Sequence, residues 1–252
     1  MTTNLIFYCL RAVMSLVLPV AAISYVRTKQ GGKIRNVFDG AAVYLIFYCF
    51  VYAVLSTVLG VLTGIFEGIE SEITYNVINI IIESLCVALG YTVWFKAVIK
   101  KQQDNTVGLM TGVGFSSCVS VFAYAIPSVV NVVIIALFMS NPNAQIFSLF
   151  EENVYQIMQS TPLRMFFDLL EMILLFVLET SVAFTLYRVL CCENKKRWIF
   201  AAILIRILGH TVIRLESLID RSVIVIILAV ITLVAAGMGY SLMKPFTAKT
   251  EE

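Results

Sequence analysis

The sequence predicts an all-α fold, a polytopic membrane helix bundle of about seven transmembrane helices. Three observations carry that prediction. Hydrophobic residues make up 60% of the 252 residues and charged residues only 13%, against roughly 45–50% and about 25% in a soluble domain. The mean hydropathy is +0.92. Lys and Arg also gather in alternate connections along the chain. So few charges cannot cover a water-soluble globule, which excludes the soluble, disordered and disulfide-framework classes. A formal net charge of +2 is too small an excess to point to a nucleic-acid partner. The partner that composition does imply is the lipid bilayer.

Crossing the hydrocarbon core takes about 20 apolar residues in a helix. Stretches of that kind run over 5–26, 37–66, 73–98, 107–139, 165–190, 198–216 and 222–243. The first reads as a retained helix, because Met1–Asn4 carries no positive charge and Arg11 sits inside the run, unlike a signal peptide. The second and fourth exceed the bilayer thickness. Pro127 in the fourth removes a backbone donor and predicts a kink or break. The whole chain, 1–252, reads as a single transmembrane domain. Residues 140–164 form its one long loop, with Ile146, Phe147, Leu149, Phe150, Val154, Ile157 and Met158 at helical spacing. That pattern predicts an interfacial helix on the outer surface, read first as a connector rather than a cap.

Orientation follows from the basic residues. Arg27, Lys29, Lys33 and Arg35 follow the first span, and Lys96, Lys100 and Lys101 follow the third. Arg188, Lys195, Lys196 and Arg197 follow the fifth, and Lys244 and Lys249 the seventh. The intervening loops carry Glu67, Glu70 and Glu72, then Glu151 and Glu152 with Arg164, then Glu216, Asp220 and Arg221. The positive-inside rule places the N-terminus outside and the C-terminus in the cytoplasm of a multi-pass protein of the cytoplasmic membrane.

Cys9, Cys49, Cys86 and Cys118 lie in apolar runs and read as small hydrophobes. Cys191 and Cys192 precede a basic loop, where a helix end is the first reading and acylation the second. No C-x-x-C pair occurs, so no structural zinc and no other cofactor is expected. Gly60, Gly64 and Gly68, and again Gly108 and Gly112, recur every four residues. Such rows let helix backbones approach closely and read as packing faces.

Ionisable residues inside a membrane are costly and face the bundle interior, usually paired. The fifth span carries Asp168, Glu171 and Glu179, and the sixth carries Arg206, His210 and Arg214 on one face. A short loop makes these spans antiparallel neighbours. Folding the hairpin about 194 or 195 sets Glu179 opposite His210, one turn from Arg206, and brings Asp168 and Glu171 level with Arg214 and Arg221. One reading is a set of intramembrane ion pairs holding two helices in register; the other is a polar cavity for a substrate, proton or anionic headgroup. Arg11 and Glu83, isolated in the first and third spans, are candidate partners for each other. His210 is the only histidine, so an H-E-x-x-H metalloprotease motif is absent. No Gly-rich phosphate loop or G-x-S-x-G elbow is present either.

The order of features resembles a known family. The segment LVLPVAAISYVRTKQGGKIRNVFDGAAVYLIF, residues 16–47, is similar to the first hairpin of YhfC-like membrane proteins. So is LCVALGYTVWFKAVIKKQQDNTVGLMTGVGFSSCVSVF, residues 85–122. That family is regarded as intramembrane metallopeptidases, distantly similar to the CAAX-protease group. The resemblance implies a Glu-Glu-x-x-Arg-like motif before the basic loop, a Gly-x-Gly-His-Gly-x-x-Glu-like motif opening the next helix, and a His in a late helix. Here the first motif falls on Val87, Ala88 and Tyr91. The second keeps Gly112 and Gly114 but has Phe115 at the His position and Val119 at the Glu position. The late His corresponds to Arg206, or less naturally to His210.

Phenylalanine and valine supply neither metal ligand nor base. The resemblance therefore implies a protease-like bundle without catalytic residues and without a metal, which binds a membrane peptide, a lipid or a partner protein. Two alternatives stand beside it. One is an active intramembrane peptidase using Glu179, His210 and Arg206. The other is a small transporter or permease subunit with Asp168, Glu171, Arg206 and Arg214 along its path, a reading weakened by the lack of an internal repeat.

Overall fold

The structure, a computed structural model, describes residues 2–66, 72–99, 104–140, 157, 159–193, 197–216 and 218–243. Among them run seven long helices and no strand: α1 (Thr2–Gln30), α2 (35–66), α3 (72–99), α4 (105–140), α5 (162–193), α6 (Arg197–Arg214) and α7 (Arg221–Met243). Six are long and apolar enough to cross a membrane. The sixth, α6, is the exception: its 18 residues make about 27 Å of helix, and Arg197, Arg206 and Arg214 interrupt its apolar run.

Local signals set the helix ends. α1 stops at Gly31, whose φ of +73° is open to glycine without steric cost. Gly31 N donates to Arg27 O and Gly32 N to Val26 O, which satisfies the last carbonyls of the helix. Asp104 caps α4 by accepting from Thr106 N at 2.9 Å. Thr161 caps α5 by accepting from Arg164 N at 3.2 Å, with Pro162 in the first turn. Pro127 does not break α4 as the sequence predicts. Helix runs straight through it, with a π-helical segment Ser120–Ala125 immediately before the proline. The wider π turn makes room for the ring and absorbs the missing donor.

α5 is the axis of the bundle: 61% of its most apolar window is buried, against 11% for the window in α2. α4 runs antiparallel along it, with Asn105 at Arg188, Ser116 at Thr180 and Tyr124 at Glu171. Gly108 and Gly112 face α5: a Cβ on Gly108 would lie 2.5 Å from the Tyr187 ring, and one on Gly112 would lie 2.8 Å from Thr180 O. At Gly60 nothing demands a glycine, since a Cβ there would meet only the Tyr75 hydroxyl, at 3.5 Å. The surroundings of Gly64, and Gly68 itself, lie outside the described residues, as does most of the expected interfacial helix. Of that segment Ile157 is buried with Tyr8, Ile134, Ile135 and Met165, and Asn4 Nδ2 ties its carbonyl to α1 at 2.8 Å.

The tightest crossing is one that no four-residue glycine row marks. A Cβ on Gly40 of α2 would run into the Thr111 carbonyl oxygen of α4, and one on Gly114 would run into that of Val37. Backbone meets backbone here, so no side-chain rotamer can make room. Gly40→Ala is therefore expected to cost at least ~2 kcal/mol, the upper part of the range for overpacking. Gly237→Ala in α7, where a Cβ meets nothing within 4 Å, is expected to be neutral or to stabilise by up to ~1 kcal/mol. Thermal unfolding of the two variants in detergent, against wild type, checks both.

Candidate functional site

Three helices bring a polar group into the centre of the bundle. α5 contributes Glu179, α3 contributes Glu83 and Ser84, and α6 contributes Arg206 and His210. The Arg206 guanidinium is the hub. Its Nε donates to Glu179 Oε2 at 3.1 Å, its Nη1 to Ser84 Oγ at 2.9 Å and its Nη2 to Glu83 Oε1 at 2.8 Å. Nη2 also stands 3.0 Å from Glu179 Oε1. His210 Nε2 lies 2.7 Å from Glu179 Oε1, and its Nδ1 is 3.8 Å from Glu83 Oε1. Glu179 is 0% and Arg206 1% exposed, and only the His210 side chain, at 17%, reaches the surface.

Glu83 therefore pairs with Arg206 and not with Arg11. Arg11 turns instead to a second charged cluster, donating from Nε to Ser128 Oγ at 2.7 Å and lying 3.7 Å from Asp168 Oδ2. Nor does Arg214 share the pairing of Asp168 and Glu171 with Arg221. Arg221 takes both, at 2.7 Å from Asp168 Oδ1 and 2.7 Å from Glu171 Oε2, and adds Glu216 at 3.1 Å. The register of α7 against α5 decides this, because Arg221 opens α7 beside Asp168 while Arg214 ends α6 at an exposed position. The Glu171 contact is a charge pair without hydrogen-bond alignment, and Glu171 Oε1 accepts from the Tyr124 hydroxyl at 3.3 Å.

Above this cluster opens a cleft of about 780 Å³ lined by Arg164, Phe167, Glu216, Ile219, Asp220 and Arg221, among others. Asp220 caps α7, accepting from the Ser222 amide at 2.8 Å and the Ser222 hydroxyl at 2.5 Å. These bonds hold its carboxyl below the usual aspartate value. The cap is therefore complete above the ordinary pKa of about 3.9 and is lost as pH falls through the lowered one.

The positions where the resemblance to YhfC-like proteins implies catalytic groups come together in space. Val87, Ala88, Tyr91 and Phe115 are all buried in one core cluster, with Val119 packed against it. The Phe115 ring stands 5.5 Å from Tyr91 and 5.5 Å from Tyr44. Tyr91 stacks on Phe95 at 5.4 Å, and Phe95 meets Tyr187 edge-on at 5.2 Å. Aromatic rings from α2, α3, α4 and α5 thus fill the space two to three turns along α3 from Glu83. The Tyr91 hydroxyl is buried there and finds no hydrogen-bond partner among the described residues.

Among the described residues no three His, Cys, Asp or Glu side chains are arranged to hold a metal ion. The nearest donor set is Glu83, Glu179 and His210, and the Arg206 guanidinium already stands among those oxygens. It cannot lose its charge, so a metal ion does not fit the site as built. Sequence reasoning missed Ser84, Tyr124 and Ser128, whose only signal is a hydroxyl inside an apolar span within one turn of the facing charge.

Two stability predictions follow from this geometry. Hydrogen bonds inside membrane bundles average only about 0.6 kcal/mol, but breaking a buried ion pair leaves a charge uncompensated and costs about 3–5 kcal/mol. Arg206→Ala is expected in that second range and Arg214→Ala within about 0.5 kcal/mol of wild type. Tyr91→Phe removes an unsatisfied hydroxyl and is expected to leave stability unchanged or raise it by ~1 kcal/mol. Thermal unfolding of the purified variants measures all three.

Comparison with known proteins agrees with the architecture. No curated protein and no solved structure matches the chain. The family model described as YhfC intramembrane metalloprotease matches residues 14–235, which takes in α2 to α6 whole and the greater part of α1 and α7. On that match, the chain belongs to the YhfC intramembrane metalloprotease family.

Proposed function

We propose that the chain is a non-catalytic member of this family, which retains the membrane bundle and binds a single-span membrane peptide without cleaving it. The observation that carries this reading is the apolar filling at Val87, Ala88, Tyr91, Phe115 and Val119. A hydrolase needs a ligand set or a base where these five positions meet, and the rings there offer neither. The alternative trio does not supply the lack. Both oxygens of Glu179 are engaged, Oε2 by Arg206 and Oε1 by His210 and Arg206. Three of the roughly four lone-pair positions of this fully buried carboxylate are taken, which leaves it poorly placed to activate a water. Since a metal does not fit around Arg206, no metal-dependent step is assigned.

The peptide partner follows from the family's substrate class: a protease-like bundle that has lost its reacting groups keeps the shape that met a polypeptide. By the positive-inside distribution, the bundle sits in the cytoplasmic membrane with its C-terminus in the cytoplasm. The test uses purified protein reconstituted in phosphatidylethanolamine and phosphatidylglycerol vesicles with a fluorescent single-span alanine-leucine peptide. Saturable energy transfer with the peptide remaining intact is the expected result, the same for wild type and Glu179→Gln. Cleavage by wild type that Glu179→Gln abolishes would establish the peptidase instead, and absence of saturable binding would overturn the binding role.

A further inference from the structure

The misfit of a metal in a family described as metalloproteases has a specific structural cause. Two carboxylates and one imidazole converge at mid-bundle, which is a common donor set for zinc and related ions. Arg206 Nη2 stands between the two carboxylates, 2.8 Å from Glu83 Oε1 and 3.0 Å from Glu179 Oε1, and His210 Nε2 meets the same Glu179 oxygen directly at 2.7 Å. We propose that Arg206 is the resident cation of this site, and that Glu83, Glu179 and His210 make up a latent divalent-metal site which the guanidinium closes.

Three features support the proposal. The oxygens already surround one positive centre, and metal–oxygen bonds of about 2.0–2.2 Å require each to move in by less than ~1 Å. The charge also favours the exchange. Two carboxylates with one guanidinium leave one negative charge if His210 is neutral, whereas a dication in the same place leaves none. Finally, Ser84 Oγ holds Arg206 Nη1 at 2.9 Å, so the guanidinium is fixed by a neutral group that serves it and would serve a metal poorly. The guanidinium is held through all three of its nitrogens by side chains of two other helices and is buried, unlike a surface arginine.

The experiment measures zinc and manganese binding to full-length protein in detergent, by equilibrium dialysis and elemental analysis after desalting. Wild type is expected to retain neither ion, and its thermal unfolding to be the same with zinc, with manganese and with a chelator. Arg206→Ala is expected to retain close to one zinc ion per chain, and to lose it again in Arg206→Ala/Glu179→Gln and in Arg206→Ala/His210→Ala. Where Arg206→Ala folds only when zinc is present during purification, that dependence is the same result read through folding. Arg206→Gln, which keeps a hydrogen-bond donor without the charge, is expected to gain zinc-dependent thermal stabilisation. Stoichiometric zinc in wild type that is lost in His210→Ala would overturn the proposal, and so would folded Arg206→Ala and Arg206→Gln that bind none. This rests on the site geometry and not on the peptide-binding role: peptide binding in vesicles can fail while Arg206→Ala still gains zinc, and the reverse.

Discussion

The Arg206 guanidinium, held by carboxylates from two other helices, is the constraint around which the centre of the bundle is arranged. In a medium of low dielectric an isolated charge of either sign is not tolerated. Glu83 on α3, Glu179 on α5 and Arg206 on α6 therefore fix one another's helices in depth and rotation. Desolvation makes such a group no great source of stability in itself. Its force lies in selection: a slip of one turn along any of the three helices would leave a charge facing hydrocarbon. The second cluster, of Arg11, Asp168, Glu171 and Arg221, does for α1, α5 and α7 what the central one does for α3, α5 and α6. α5 is the element common to both, in keeping with its deep burial.

Next to this polar centre lies an apolar one. The rings of Tyr44, Phe115, Tyr91, Phe95 and Tyr187 run from α2 through α4 and α3 to α5, and each such contact adds about 0.5–1.5 kcal/mol beyond the area it buries. Glu83, Val87, Tyr91 and Phe95 occupy successive turns of one face of α3, so a single helix face passes from the charged centre into the aromatic one. Rings and aliphatic side chains fill the positions that the resemblance to YhfC-like proteins assigns to polar motifs. At the charged centre two carboxylates share one guanidinium, with His210 beside them.

The pattern of what could be read from the sequence has a physical logic. The facing of Glu179 with Arg206 and His210 follows from two local rules, the helical period and the short hairpin loop, and needs no knowledge of the rest of the fold. Glu83 was out of reach because α3 and α6 are not consecutive, and nothing local ties their register. The choice of Arg221 over Arg214 depends on how the chain turns between α6 and α7, a few residues that no periodicity governs. Gly40 and Gly114 stand in no repeating row, so the closest backbone approach in the bundle carries no pattern a single sequence displays. Helix continues through Pro127 because a π turn can absorb a proline that a regular α-helix cannot, and no sequence pattern marks such a turn. The spans themselves were legible throughout, since bilayer thickness dictates their length and composition. The 18-residue α6 is where three arginines erode that signal.

The Gly40–Gly114 crossing also bears on how α2 can move. On one side of it the helix is locked against α4, atom against atom; on the other, its turns face mostly outward, where lipid tails and leucine side chains are near equivalents as neighbours. Sliding α2 along α4 at this point would force two main chains through each other, while beyond it the helix is tied to α3 by Ser56, whose hydroxyl lies 3.1 Å from Asn79 Oδ1.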